Sequence, residues 1–268
     1  MKTAYGRYGE IEYRIFDPTG NITALVETEV DPMDQPSVAA GVMGLNPEVE
    51  QVGFVRFMDG DVPVRLRMAG GEFCGNATMC SAALYMMVND MSGETEVKVR
   101  VSGTKEPLDV RLVRRDAVSF DGAVSMPPAL GIDELKLRLP VVRMEGIDHV
   151  IIEPDSGFFG LKDDRALAET LLRGWCGVLG SECLGMMFID EGEDVRALTP
   201  LVYVPGADTM FWENSCASGS AAAGIYLAAK EGRPVDVSFD EPAGRLRVTS
   251  DPVSGKTVLY GSAVLRFN

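Results

Sequence analysis

Two cysteines carry the strongest chemical signal in this sequence. Cys74 follows a glycine turn, and the helix-forming residues after Gly75 contain no glycine or proline until Gly93. This pattern predicts a helix that begins at or just after Cys74. A thiol at that position lies beside unpaired backbone N–H groups and the positive end of the helix dipole, and both favour the thiolate. We therefore expect Cys74 to be more acidic than a free thiol, and the same N–H groups to bind a carboxylate.

A stretch of the same kind occurs a second time. Residues 213–230 again lead from a polar turn, through Cys216, into a helix of small residues. Aligned on the cysteines, Ala77 corresponds to Gly219, and the offset from 74 to 216 is 142 residues. Because this offset is slightly more than half of the 268-residue chain, it predicts a duplicated fold with one cysteine-capped helix in each half.

The composition is ordinary for a globular protein, and its net charge says little about a small substrate. Hydrophobic residues make up 46% and charged residues 24% of the chain, and the net charge of −15 argues against binding to nucleic acid or to an anionic membrane. No apolar stretch is long enough for a transmembrane helix, and the N-terminus lacks the apolar core of a signal peptide. We therefore expect a cytoplasmic protein.

The cysteine and histidine content limits the possible metal and catalytic sites. The five cysteines are at positions 74, 80, 176, 183 and 216. An odd number without a Cys-x-x-Cys spacing favours free thiols over disulfides. His149 is the single histidine, so a zinc site is not expected, and there is no phosphate-binding glycine motif. We expect no metal and no cofactor, and structural roles for His149, Cys80, Cys176 and Cys183.

Hydrophobic alternation predicts mostly short strands with few helices. In the first half, the pattern predicts strands at 10–16, 22–27, 51–57, 62–68, 96–101 and 108–115. In the second half, it predicts strands at 148–153, 184–189, 195–204, 235–239, 245–249 and 257–267. Besides the two cysteine helices, we expect a short helix at 34–43 and another that Asp163 caps and that ends near Gly174. Residues 125–140 are interpreted as the crossing between the halves.

These elements predict an α+β fold of two pseudo-symmetric halves. Each half is expected to be a curved, mainly antiparallel sheet or barrel around its central cysteine-capped helix. The N-terminal half comprises residues 1–127, and the last strand, at about 256–268, is expected to join it. The C-terminal half comprises residues 128–255, and the active site is expected in the cleft between the two halves.

Both cysteine motifs resemble those of the diaminopimelate epimerase superfamily. Phe73-Cys74-Gly75-Asn76-Ala77 resembles the first motif of that superfamily, and Cys216-Ala217-Ser218-Gly219 resembles the second, with Ala and Ser in place of the usual Gly and Thr. Other landmarks follow in family order over most of the chain, and they are Gly20-Asn21, Gln51 and the segment Gly146-Ile147-Asp148-His149-Val150.

The resemblance is closer to the amino-acid racemase branch, which includes the histidine racemases of opine metallophore synthesis. Diaminopimelate epimerases have a Glu-Arg-Gly segment before the second cysteine, whereas this chain has Val204-Pro205-Gly206. Ile147 replaces an asparagine of the family, and another family asparagine would fall near Arg67 or Met68. These polar groups hold the distal end of diaminopimelate, so their loss implies a different substrate side chain.

The resemblance implies a cofactor-independent inversion of Cα. One cysteine acts as a thiolate base and the other as a thiol acid, and the roles exchange with the hand of the substrate. The N–H groups after each cysteine would receive the substrate carboxylate. The residues implied at the site are therefore the catalytic Cys74 and Cys216, together with Asn21, Gln51, Gly75, Asn76, Glu213, Ala217 and Ser218 as substrate-binding residues. Glu213 is the candidate for the substrate ammonium or a basic side chain.

Two alternatives stay open at this stage. The first is diaminopimelate epimerase itself, which Arg67 and Glu213 at the distal end of the pocket would support. The second comes from another class, a dithiol redox or small-ligand binding protein in which the cysteines form a reversible disulfide. The sequence leaves the substrate side chain undetermined, and it allows a homodimer formed through an exposed strand edge.

Overall fold

The structure, a computed structural model, describes residues 5–135, 138–192 and 194–267. The described chain forms two compact units. The N-terminal unit comprises residues up to 125 and the segment from 260 onward, and the C-terminal unit comprises residues 126–259. Over the described ranges, every helix is too short or too polar to cross a membrane.

The N-terminal unit is built mainly from strands. Its strands are β1 (Gly6–Tyr8), β2 (Ile11–Asp17), β3 (Thr23–Val26), β4 (Gln51–Phe57), β5 (Val64–Met68), β6 (Glu94–Val101), β7 (Leu108–Arg114), β8 (Ser119–Ser125) and the end of β17 (Thr257–Leu265). Its helices are α1 (Gln35–Leu45) and α2 (Gly75–Val88). The predicted strand at 51–57 and the predicted cysteine helix are confirmed as elements.

Eight of these strands close into a barrel of mixed direction. From β2 to β8 each strand pairs with the next, in parallel for β3–β4 and β5–β6 and antiparallel for the others. The ring closes because β17 pairs with both β8 and β2. In the parallel register of β3 and β4, Thr23 lies opposite Gln51. The predicted substrate-binding residues Asn21 and Gln51 thus lie close to one end of this strand pair.

Helix α2 runs through the interior of this barrel. It contacts strands β3 to β8, and residues 75–84 are all buried. Its sequence is dominated by small and apolar residues without a charged face, so the helix suits a buried core position. Burial of a side chain such as Leu84 or Met86 stabilises the fold by about 1.5–3 kcal/mol. The barrel therefore holds the residue before the helix, Cys74, in a fixed position.

The C-terminal unit has a second set of strands and two helices. Its strands are β9 (Gly131–Leu135), β10 (Leu139–Arg143), β11 (Asp148–Ile152), β12 (Leu184–Ile189), β13 (Val195–Val204), β14 (Thr209–Trp212), β15 (Val235–Glu241), β16 (Gly244–Ser250) and the start of β17. Its helices are α3 (Arg165–Leu179) and α4 (Ala217–Glu231), with single turns of 3₁₀-helix at Pro154–Ser156, Phe159–Lys162 and Pro205–Ala207.

The sheet of this unit is also mixed. Strands β9 to β14 pair in chain order, and only β11–β12 is parallel among them. Strand β13 also pairs in parallel with β15, which forms an antiparallel hairpin with β16. Helix α4 is buried over most of its length and packs on β16 and β15. The amphipathic α3 covers another face through Leu172 and Trp175.

Several sequence predictions need correction. Asp164, not Asp163, caps α3, because its Oδ1 accepts the Leu167 N–H at 3.2 Å. The helix continues past Gly174 to Leu179 and ends at Gly180, a glycine in the left-handed conformation with φ of 64°. The stretch interpreted as a crossing contains β9 and the first two residues of β10, and the strands β1, β8 and β14 were not predicted. Strands β1 and β14 have only three and four residues, too few for an alternating pattern to be recognised, and β8 contains Asp121 and Gly122, which are uncommon in strands.

Candidate active site

Cys74 is delivered to the start of α2 by a braced turn. The hydroxyl of Ser102 donates to the Glu72 carbonyl oxygen at 2.8 Å and accepts the Met68 N–H at 2.9 Å. Gly71 takes a left-handed conformation with φ of 79°, which a side chain would strain. Since these contacts fix both sides of the turn, the backbone before Cys74 has little freedom.

The Cys74 thiol has two partners in the N-terminal unit. Its backbone is extended, and its Sγ accepts the Ala77 N–H at 3.3 Å, which is the helix cap expected from the sequence. The thiol donates to Oε1 of Gln51 at 2.7 Å. The Cys74 carbonyl oxygen accepts the Thr78 N–H at 3.0 Å and the Thr78 hydroxyl at 2.7 Å. These hydrogen bonds connect the Cys74 side chain to both the start of α2 and strand β4.

The other predicted residues of this unit lie near the same thiol. Gln51 is half-buried at the start of β4, and its N–H donates to the Ile22 carbonyl oxygen at 3.3 Å. Asn21, the residue before Ile22, is fully buried. Gly75 and Asn76 form the first turn of α2 and are buried as well. Gln51 on β4 and the first turn of α2 therefore lie at the Cys74 thiol, and Asn21 lies in the segment that leads into the neighbouring β3.

Cys216 occupies the corresponding place in the C-terminal unit. It is the residue before α4, its backbone is extended, and its carbonyl oxygen accepts the Ser220 N–H at 2.8 Å. Its Sγ lies 3.7 Å from the Ser218 hydroxyl oxygen, whereas the Sγ-to-amide cap seen at Cys74 is not formed here. Ala217 and Ser218, the first two helical residues, are buried.

The first turn of α4 is tightly packed against β12. A Cβ atom added at Gly219 would lie 2.2 Å from the Met187 Sδ and 3.1 Å from the Cys216 Sγ. A side chain here would require the Met187 side chain to move, so glycine allows the helix start to approach the strand in the observed packing. This close approach lies at the position that corresponds to Ala77 in the first motif.

Two buried carboxyl groups surround the Cys216 thiol. Glu213 is 5% exposed, and its N–H donates to the Pro200 carbonyl oxygen at 3.1 Å. Glu241 accepts the Cys216 N–H at 2.6 Å through Oε2. Burial raises the pKa of Cys216 well above its ordinary range, and the charges of Glu213 and Glu241 raise it further. The thiolate-favouring effect expected at a helix start does not prevail at this cysteine.

Sequence reasoning did not find Glu241, although a signal was present. Strand β15 alternates, with Val235, Val237 and Phe239 on its buried face. Glu241 continues the same alternation, so the two-residue period of a strand places its carboxyl group inward. An acidic residue in phase with three buried apolar ones is unusual enough to indicate a buried carboxyl group.

His149 lies on β11 and is fully buried. Burial lowers its pKa to about 4, and the charge of Asp148 only partly opposes this effect. Neither ring nitrogen has a hydrogen-bond partner among the described residues. On the adjacent strand, a Cβ at Gly185 would lie 2.3 Å from the Nδ1 of His149, so the ring occupies the space that a side chain there would take. The imidazole is therefore neutral and packed into the core.

The other three cysteines are core residues. Burial raises the pKa of Cys80 well above its ordinary range, and this thiol lies inside α2, where all of its neighbours in the helix are buried too. Cys176 packs with the core around α3 and donates to the Ser181 carbonyl oxygen at 3.3 Å. Cys183 is 3% exposed. Arg67, named above for the distal substrate end, is exposed and donates to Oε1 of Gln35 at 2.9 Å.

Comparison with known families identifies the chain. The model of the histidine racemase CntK N-terminal domain matches residues 10–259, which is most of the sequence. The chain belongs to this family. It is accordingly a racemase, an isomerase that acts on a small chiral molecule, and the superfamily and branch predicted from the two cysteine motifs are confirmed.

Curated relatives of this racemase are named histidine racemase, and they match the chain over most of their length. A histidine racemase of Fusobacterium nucleatum subsp. nucleatum is 32% identical over 234 residues, which is 83% of each chain. A histidine racemase of Staphylococcus aureus is 28% identical over 248 residues, covering 90% of this chain and 88% of the relative.

Solved structures of more distant proteins share the fold of this racemase. A predicted epimerase from Pseudomonas aeruginosa is 12% identical, with a TM-score of 0.69 over 95% of this chain and 96% of the other. A probable proline racemase from Agrobacterium radiobacter is 14% identical, with a TM-score of 0.63 over 96% and 90%. A phenazine biosynthesis protein from Bacillus anthracis, of the PhzF family, is 14% identical and has a TM-score of 0.59. These neighbours support the α+β assignment.

Proposed function

We propose that this racemase inverts the α-carbon of an amino acid by a two-base mechanism with Cys74 and Cys216. The supporting observation is that each cysteine directly precedes a buried helix in its own unit. The two cysteines have similar extended backbones, with φ and ψ of −136° and 113° at Cys74 and of −129° and 99° at Cys216. This similarity, with the 142-residue offset, also supports two pseudo-symmetric units derived from one ancestor.

The chemistry needs a base and an acid on opposite faces of Cα. One cysteine removes the α-proton as a thiolate, while the other, as a thiol, returns a proton to the opposite face. The negative charge that develops on the substrate carboxylate is stabilised by N–H groups at the two helix starts. Gly75 and Asn76 supply these groups in the N-terminal unit, and Ala217 and Ser218 supply them in the C-terminal unit. No cofactor takes part in this mechanism.

We propose histidine as the substrate, because the family and the curated relatives are named for it. Glu213 supports a cationic or hydrogen-bonding substrate group, since its buried carboxyl group lies close to Cys216. Asn21 and Gln51 are proposed to contact the substrate from the Cys74 side. Diaminopimelate is the alternative substrate, and the exposed position of Arg67 gives it no additional support.

Proton NMR in D₂O tests this proposal. Loss of the α-proton signal is followed for both hands of histidine, for diaminopimelate and for other basic amino acids. Cys74→Ala and Cys216→Ala should each lower exchange by at least about 100-fold, since an acid or base contributes about 10²–10⁴. Cys80→Ala, a buried cysteine in the same helix as the Cys74 motif, is the matched control and should retain exchange.

Two outcomes would count against the proposal. Exchange that survives in both cysteine variants would exclude the two thiols as the acid and base. Exchange with diaminopimelate but not with histidine would replace the proposed substrate and leave the mechanism intact. A carbonyl scavenger such as phenylhydrazine should leave the rate unchanged, whereas inhibition would indicate a pyridoxal-type cofactor.

A further inference from the structure

A buried carboxyl group accepts hydrogen bonds from the start of α4. Glu241 is the last residue of β15 and lies 25 positions beyond Cys216 in the sequence. One carboxyl oxygen accepts the Cys216 N–H at 2.6 Å, and the other accepts the Ser220 hydroxyl at 2.5 Å. The side chain is 8% exposed. A single carboxyl group therefore connects the cysteine with the next turn of its helix.

We propose that Glu241 is a positioning residue for Cys216, which fixes the cysteine through its backbone N–H and, when ionised, opposes formation of the Cys216 thiolate by its negative charge. The proposal rests on the catalytic role of Cys216 given above. It assigns Glu241 no contact with the substrate, because both of its oxygens already accept hydrogen bonds from α4 and the residue before it.

The charge of Glu241 depends on pH within an accessible range. Burial raises the pKa of Glu241 to about 8, and the hydrogen bonds from Ser220 and Cys216 only partly offset this effect. Glu213 is the other acidic group that faces it, and this charge raises the pKa of Glu241 as well. The neighbouring Asp240 lies on the exposed face of β15, where it forms an ion pair with Arg245. Glu241 therefore gains its charge in mildly alkaline solution.

This charge makes the two cysteines unequal. A thiolate at Cys216 would form beside a second buried negative charge, and like charges in a buried site repel strongly. Cys74, in contrast, donates its proton to the uncharged amide oxygen of Gln51. At a pH where Glu241 is ionised, its charge therefore favours the thiol form of Cys216 in the free protein.

The pH dependence of Cys216 alkylation tests the proposal without requiring racemase activity. Wild type and Glu241→Gln are treated with iodoacetamide between pH 6 and 10, and mass spectrometry of peptides follows Cys216 alone. Glutamine keeps the shape and an oxygen acceptor for the Cys216 N–H but carries no charge. The two proteins should react at similar rates near pH 7, and the variant should become faster by on the order of tenfold above pH 8, the effect of about one pKa unit.

Two further variants make the experiment decisive. Asp240→Asn removes a carboxylate from the adjacent, exposed position and should follow the wild-type profile. Ser220→Ala removes a hydrogen bond that favours the ionised form of Glu241. The pH above which Cys216 alkylation falls behind that of Glu241→Gln should therefore be higher in Ser220→Ala than in wild type. If Glu241→Gln does not fold, the Ser220→Ala shift decides the question.

The outcomes separate this proposal from the proposed function. A constant ratio between Glu241→Gln and wild type at every pH would show a purely structural role and overturn the charge effect. An unchanged profile for Ser220→Ala would overturn it as well. If the protein fails the exchange experiment but shows the predicted alkylation profiles, the charge effect of Glu241 on Cys216 is supported and the catalytic role of Cys216 is rejected.

Discussion

The thiol of Cys74 donates a hydrogen bond of 2.7 Å to Oε1 of Gln51. This bond joins the residue before α2 to the first residue of β4, and β4 is part of the barrel that surrounds the helix. The amide thus orients the thiol from a rigid strand. The sequence predicts Gln51 only as a substrate contact, and the structure adds its hydrogen bond to the cysteine thiol.

Gln51→Met should lower kcat of racemisation about two- to tenfold. The change keeps most of the side-chain volume but removes the acceptor, and a neutral hydrogen bond contributes about 0.5–1.5 kcal/mol. Gln35→Met, which removes another amide of the N-terminal unit, is the control for general damage. A rise in KM with unchanged kcat would instead indicate that Gln51 only binds substrate.

Stability should depend on pH through His149. The pKa of this buried histidine is lowered from 6.5 to about 4, so the folded protein binds the proton more weakly than the unfolded chain does. The stability that the neutral His149 contributes to the folded protein is therefore fully present above pH 6.5 and is lost as the pH falls toward 4. Between these limits the loss amounts to about 3 kcal/mol.

Urea unfolding at pH 7 and pH 5 measures this effect. Because the chain has a single histidine, His149→Met removes it without changing the other titrating groups. The variant should lose less stability than wild type between the two pH values. Equal losses in both proteins would mean that the ring is not held neutral by burial.

Gly224→Ala should destabilise the C-terminal unit by about 1–3 kcal/mol. A Cβ atom at this position of α4 would lie 2.5 Å from Cγ1 of Val248 on β16, and the branched valine has little room to move. Gly177→Ala is the matched control, because a Cβ there in α3 meets nothing within 4 Å. The control should gain up to about 1 kcal/mol from better helix propensity. Urea denaturation of both variants makes the comparison.

Asp164→Ala should lower the free energy of unfolding by about 1 kcal/mol, the usual contribution of a helix cap. The carboxyl group accepts the Leu167 N–H, and alanine leaves that amide without this partner. Asp163→Ala, the adjacent residue, should change stability by less than about 0.5 kcal/mol. Thermal unfolding compares the two variants. A larger loss of stability in Asp163→Ala than in Asp164→Ala would show that the cap lies at residue 163.

Much of this molecule was predictable because its signals are local. The glycine turn, the cysteine and the run of helix formers lie within one stretch, so the start of α2 at Cys74 followed directly from the sequence. Strands such as β4 and β13 have clear alternation, and they were predicted at their observed bounds. The paired cysteine motifs also sufficed to predict the family, which the comparisons confirmed.

Other features lack a clear local signal. Strands β1 and β14 are only three and four residues long, and β8 places Asp121 and Gly122 among its buried Phe120 and Val124, so none of them has a run of apolar alternation long enough to be recognised. The cap at Asp164 rather than Asp163 depends on where the 3₁₀ turn before α3 ends. Local propensity cannot choose between adjacent aspartates, because either can accept an amide three residues later.

The sequence by itself determined that a cysteine precedes each of two helices, since a cysteine before a helix is a local arrangement of backbone and side chain. Only the tertiary structure decided the electrostatic environment of those cysteines. Glu241 reaches Cys216 across 25 residues, and its carboxyl group is buried there with Glu213. Burial and nearby charges depend on the whole fold, and at Cys216 they outweigh the helix dipole that the local sequence predicts.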